Sequence, residues 1–139
     1  MDVDQNTMNR ILMRIGALIK ERAITLAPID MGDLRRSIQF RTEGNKVIIS
    51  VGVDYAEDLE YGKAPGILDE NEKQELTEWA DRHNLPGYLV IKKIEREGIK
   101  VGSVEQPMRV PNGTYRPFIR PAIHQCIPDI KRIIREELE

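Results

Sequence analysis

Both ends of this chain carry an apolar stripe at helical spacing, and those two stripes constrain the fold more than anything between them. Near the N-terminus, Met8, Ile11, Leu12, Ile15, Leu18, Ile19 and Arg22 recur every three or four residues, with Leu26 one turn further. Arg10, Arg14, Lys20 and Glu21 lie mostly elsewhere around the wheel. Near the C-terminus, Ile123, Cys126, Ile127, Ile130, Ile133, Ile134 and Leu138 repeat the pattern. A helix striped on one side must bury that side against another element. Two of them therefore call for a sheet face to pack on. The first helix spans residues 5–26 and ends before Pro28, which disfavours helical geometry in the residue it follows. The second runs from about Pro121, a residue suited to a first turn, to Leu138. Pro128 inside it forfeits a backbone bond to His124 at a cost of ~3 kcal/mol, which predicts a kink or break near 124–128.

Between the stripes, the stretch "APIDMGDLRRSI" (27–38) reads as a short, tightly capped helical turn. Asp30 suits an N-cap, Asp33 follows three residues later, and Gly32 lets the backbone pass closely. Leu34 and Ile38 stand one turn apart toward the core, with Arg35 and Arg36 pointing outward. A hairpin follows: Ile38, Phe40 and Thr42 alternate with polar residues, "EGN" (43–45) turns the chain, and Val47, Ile49, Val51 and Val53 share one face. Ile48 falls on the other face, so that side is not fully polar. Asp54 and Glu57 form a D-x-x-E capping box for a short helix over 55–61, with Gly62 as its C-cap.

Residues 63–98 read as a helical insertion. Asp69 and Glu72 make another capping box, Leu76, Trp79 and Ala80 supply an apolar face, and "NLPG" (84–87) turns the chain into a second helix that Gly98 stops. Residues 99–117 carry no helical pattern. Asn112-Gly113 is a hairpin-turn signal, and unstructured loops longer than ~12–15 residues are uncommon in compact domains. The segment is therefore an extended arm or a hairpin added to the sheet. There is no repeat and no low-complexity tract, and the length of 139 residues fits one domain, 1–139.

Composition narrows the function classes. A formal net charge of -2 argues against non-specific nucleic-acid binding, which needs a basic excess to displace phosphate counterions. One cysteine, Cys126, forms no internal disulfide and fits a reducing compartment. No stretch approaches the ~20 apolar residues of a membrane helix, and the acidic, arginine-interrupted N-terminus does not read as a signal peptide, so a cytoplasmic origin is expected.

Candidate chemistry is thin. His124 and Cys126 are two apart on a helix and face different directions, and Cys126 lies on the apolar stripe as a core thiol. No Cys/His cluster has zinc spacing, and no glycine loop for phosphate is present. Capping accounts for Asp54 and Glu57, and a solvated helix face accounts for Asp58 and Glu60 unless Glu60 pairs with Arg116 or Arg120. The helical pair at 69–98 has the length of a helix-turn-helix, but its eight acids outnumber its five bases.

Three pieces stand in order: "APIDMGDLRRSI", "VGVDYAEDLEYGK", and "RPFIRPAI" leading into the last helix. The series resembles the tail-component family of long-tailed bacteriophages, the small neck, head–tail joining or tail-completion proteins. The residues that carry the resemblance are Pro28, Asp30, Gly32, Leu34, Arg35, Ser37 and Ile38, then Tyr55, Ala56, Glu60, Tyr61 and Gly62. Arg116, Pro117, Phe118, Arg120, Pro121 and Ala122 close the set. Lys63 and Met31 stand where the family often has threonine.

The resemblance implies an α+β fold: a long N-terminal helix, a small antiparallel sheet, the inserted helical hairpin, and a C-terminal helix packed on the sheet. It implies a structural virion protein, made in the host cytoplasm and placed at the head–tail junction. Such a protein needs no catalytic residue, no metal and no cofactor. Its partners would be other neck and tail proteins and further copies of itself in a ring, with DNA passing nearby without sequence-specific binding and no membrane. Candidate interface residues are Ile48 and the arm residues Met108, Arg109, Val110, Asn112, Gly113 and Tyr115. The alternative from another class is a DNA-binding regulator using the 69–98 hairpin.

Overall fold

The computed structural model of the protein describes residues 3–28, 32–53, 55–107 and 114–139. Among the described residues there are six helices and two separate two-stranded ladders. The N-terminal stripe forms α1 (Gln5–Leu26), capped by Asp4, whose carboxylate accepts the Thr7 N–H at 2.7 Å. The alternating stretch forms an antiparallel hairpin of β1 (Ile38–Glu43) and β2 (Lys46–Val51). Glu43 faces Lys46, so the turn is the two residues Gly44 and Asn45, one shorter than the composition of 43–45 suggests. β2 stops at Val51, and Val53 continues past it to pack on the core.

α1 lies across this hairpin, and Gly16 is what lets it come close. A Cβ at position 16 would stand 2.3 Å from Cδ2 of Phe40. A glycine inside a helix costs ~0.5–1 kcal/mol relative to alanine, and the seating of the Phe40 ring offsets it.

The C-terminal stripe forms α6 (Ile119–Leu138), antiparallel to α1. Arg10 and Arg14, early in α1, reach Glu136 and Glu137, late in α6, at 2.8–3.2 Å. α6 packs on the sheet through a shared core in which Ile38 joins Ile19, Ala23, Leu26, Leu34, Phe118, Ala122 and Cys126. The fold is the expected α+β arrangement. Of the kink or break expected near 124–128, the break is absent: α6 runs through Pro128 as one helix. His124, whose carbonyl loses its donor, is exposed, as is Pro128 itself, so water can complete that carbonyl. The apolar stripe is also wider than the surface covering it: Cys126 and Ile133 are buried, whereas Ile123, Ile127, Ile134 and Leu138 remain 37–42% exposed.

The short turn forms α2 (Gly32–Ser37), and α3 (Ala56–Tyr61) follows the hairpin. The capping role read for Asp30 lies outside the described residues, whereas the D-x-x-E box expected at 54–57 does not cap α3: its N-cap is Tyr55, with no side-chain cap bond. The insertion consists of α4 (Glu70–Arg82) and α5 (Gly87–Glu97). Its capping box is complete: Asp69 accepts the Glu72 N–H at 2.8 Å, and Glu72 accepts the Asp69 N–H at 3.2 Å. The insertion leaves and returns at one point, where Lys63 and Ile99 exchange backbone hydrogen bonds of 2.9 and 2.8 Å. Gly98 makes this closure possible. Its φ is +73°, and a Cβ there would lie 2.2 Å from the Lys63 carbonyl oxygen.

The 99–117 segment does not add a strand to the β1–β2 sheet among the described residues. Its ends, β3 (Lys100–Val101) and β4 (Thr114–Tyr115), pair with each other, and the pairing is parallel. The Asn112-Gly113 turn lies outside the described residues.

Candidate functional site

The three sequence pieces meet at the junction of two helix ends. Because α1 and α6 are antiparallel, the C-terminus of α1 and the N-terminus of α6 fall together. One presents orphan carbonyls, the other orphan N–H groups. The N-cap of α6 is Phe118, which has no side-chain acceptor to offer. Glu60, at the end of α3, supplies it from 58 residues away. Its Oε1 accepts the N–H groups of Phe118 and Ile119, both at 2.8 Å, and its Oε2 accepts that of Arg120 at 2.9 Å. The next residue, Pro121, has no N–H to satisfy. A carboxylate here is also favoured by the helix dipole.

Glu60 is only 4% exposed, and its charge is matched by Arg120, whose Nε donates to Oε2 at 2.9 Å. Arg120 also donates through Nη2 to the Glu60 carbonyl, and its guanidinium stacks 4.4 Å from the centre of the Tyr61 ring. Of the two arginines that could pair with Glu60, the structure selects Arg120.

Arg116 goes to the other helix end. Its Nε donates to the Leu26 carbonyl at 2.8 Å and its Nη2 to Ala27 at 3.4 Å. Arg35 joins it there, donating from Nη2 to Ala27 at 3.0 Å. Two cations thus cap the C-terminal end of α1. The outward orientation expected for Arg35 is therefore wrong: its stem packs inward and its head is spent on a carbonyl, while Arg36 alone of the pair is exposed. The signal that could have found this is the chain itself, since a helix stopped at Pro28 leaves carbonyls needing donors.

The remaining motif residues frame this joint. Leu34, Ile38, Pro117, Phe118 and Pro121 are fully buried, and Ala56 nearly so. Pro28 is half-buried just past the α1 C-cap, and Gly32 begins α2. Ser37 folds back to the Leu34 carbonyl at 2.8 Å. Gly62 is the α3 C-cap at φ +82°, its N–H bonded to the Asp58 carbonyl. Tyr55 donates to Asp33 Oδ2 at 2.7 Å, and Arg82 from the end of α4 reaches the same oxygen at 3.2 Å. Burial pushes the Tyr55 hydroxyl well above the usual phenol range, helped by the Asp33 carboxylate it bonds. Burial also raises Asp33, but the bonds from Tyr55 and the Leu34 N–H, with the Arg82 charge, outweigh it and leave that carboxyl below its ordinary value.

Of the candidate interface residues, Ile48 is half-buried opposite the exposed Arg41. Tyr115 packs against the core and lines a small cavity of about 60 Å³ with Leu59, Leu76, Trp79, Val90 and Ile94. Met108, Arg109, Val110, Asn112 and Gly113 lie outside the described residues. Cys126 is fully buried, and burial pushes its thiol up. No group of three metal-ligating side chains is found among the described residues. The charged groups of the joint are engaged with helix ends and with each other, an arrangement suited to fixing three chain segments together.

No known family, curated protein or solved structure matches the chain.

Proposed function

We propose that this chain is a structural protein of the head–tail junction of a long-tailed bacteriophage, a neck or tail-completion component acting through protein contacts in a ring-like assembly. The observation that supports it most is the convergence of the three motif pieces. Residues scattered from Pro28 to Pro121 meet in one joint, and their polar atoms satisfy the ends of α1 and α6. The motif that carries the resemblance is thus spent on architecture, leaving outer surfaces for contacts. A closed ring of identical copies needs heterologous contacts, in which one patch meets a different patch on the neighbour.

The test is a joining assay. Particles assembled without this chain should accumulate as separate filled heads and tails, and adding the purified protein should join them into infectious virions. Particles that infect normally without the chain would end this reading.

A further inference from the structure

The α4–α5 hairpin carries two outer faces of opposite character. We infer that they are the two halves of a heterologous contact between copies of this chain, the α5 face of one docking on the α4 face of the next. This rests on the ring reading above and gives it a specific interface.

The α5 face comes first. Tyr88 and Leu89 are 66% and 50% exposed, and Lys92, Lys93 and Arg96 are exposed beside them at the spacing of one helix face. Neither Lys92 nor Lys93 has a hydrogen-bond or ion-pair partner among the described residues. The inner side of α5 packs on α4, and its half-buried Val90 and Ile94 border the cavity they share with Leu59 and Tyr115, yet no residue of this 11-residue helix is fully buried. A helix this short is marginal in water without packing. It gains from a cover on its outer side.

The α4 face is its complement. Glu70, Gln74, Glu78 and Asp81 are exposed along one side, spanning ~16 Å at a rise of 1.5 Å per residue. The α5 face from Tyr88 to Arg96 spans ~12 Å, a comparable length. Ile67, two residues before the α4 N-cap, is 91% exposed and leaves an apolar group uncovered at the start of this helix. One face therefore carries acids, with an exposed isoleucine at the helix start, and the other bases with a tyrosine and a leucine. Matched charges guide the approach and register, and the apolar groups supply area to bury. Glu97, exposed on the same helix, weakens α5 as a duplex-DNA surface, since it repels the phosphates that Lys92 and Lys93 would neutralise.

The experiment measures mass in solution by light scattering on the full chain and two charge-reversed forms. The α5 form is K92E/K93E/R96E. The α4 form is Q74K/E78K/D81K, which leaves the first-turn Glu70 in place. All six positions are exposed, and circular dichroism checks that each form folds. The wild-type mass should rise above 16.0 kDa with concentration at low salt and return to it as the screening length shortens from ~10 Å at 0.1 M to ~3 Å at 1 M. Each reversed form should associate with itself ~10-fold or more weakly, because like charges then meet across the contact. Mixing the two forms should restore association, since an acidic face then meets a basic one at every contact between unlike copies.

A reversed form that self-associates like wild type would overturn the interface and leave the ring to be built elsewhere. A wild type that stays at 16.0 kDa at every concentration would overturn the interface too, and the joining assay then decides the head–tail reading alone. Salt-dependent retention on duplex DNA, lost in the α5 form only, would also overturn it and make α5 a phosphate-binding face.

Discussion

Around Glu60, the side chains of Pro117, Phe118, Pro121 and Leu34 are fully buried, whereas in the α4–α5 hairpin only Ala80 is, with Leu68 nearly so just before it. Both regions carry charged side chains, but their charges are used differently. In the joint, Glu60, Arg120, Arg116 and Arg35 lie on backbone groups with few alternative partners. In the hairpin, Lys92, Lys93, Glu70 and Asp81 face solvent. Burial converts a charged group into a fixed structural part, and exposure leaves it available to another molecule. The joint should therefore govern folding, and the hairpin should govern association.

The comparison breaks most sharply at the largest side chain of the joint. Phe118→Ala removes a fully buried ring and should cost ~3–5 kcal/mol, read as a drop in the denaturation midpoint at unchanged slope. A change below ~1 kcal/mol would mean that the joint does not carry the core. Glu60→Ala comes next. It strands three backbone N–H groups and the Arg120 guanidinium, for an expected loss of ~3 kcal/mol. Arg120 is partly exposed, so most of that loss lies in the N–H groups and little in the ion pair. Glu60→Gln keeps one acceptor oxygen and should recover part of it. Equal losses for both variants would show that the negative charge matters more than the bonds.

In the hairpin the same chemistry should cost less. Ile94→Ala trims a half-buried side chain on the inner side of α5 and should cost ~1–2 kcal/mol. Amide exchange gives the finer reading. The α5 N–H groups should exchange through a smaller opening than those of α1 and α6, because few buried contacts hold that helix in place. Protection in α5 equal to that in α6 would erase the contrast between the regions.

The sequence was most legible where one local rule decides the outcome. Apolar periodicity located α1 and α6, and D-x-x-E spacing located the start of α4, where the capping box is complete. It was least legible where the outcome depends on chain segments meeting. Nothing local to Glu60 says that it will cap a helix 58 residues away, although an α6 that begins on Phe118 with no capping side chain implies an outside acceptor. The direction of Arg35 is not legible locally, because arginine can bury its stem while its head finds a carbonyl. The parallel pairing of Lys100–Val101 with Thr114–Tyr115 is a tertiary event without a turn signature. Pro128 does not break α6, because one missing bond on an exposed helix surface does not stop a helix held by Cys126 and Ile133.

The smallest predicted effect lies where the two regions touch. Asp33 belongs to the body, and its Oδ2 accepts both from the Tyr55 hydroxyl and from Arg82 of α4. The Asp33 carboxyl is held below its ordinary value in the fold, so its contribution is present above the unfolded pKa of ~3.9 and is lost as pH falls through the folded one. The Tyr55 hydroxyl is held above its ordinary value, so its contribution is present below ~10 and is lost as pH rises beyond that. Tyr55→Phe removes the bond while keeping the ring, and it should lower stability by ~0.5–1 kcal/mol between those limits, since Asp33 and Arg82 are both partly exposed. The difference should shrink as Asp33 protonates at low pH, and above ~10 the order should reverse, because burial penalises the phenolate that only the wild type can form. A difference that stayed constant across the whole range would mean that the hydroxyl acts through packing and that the latch between body and hairpin is not electrostatic.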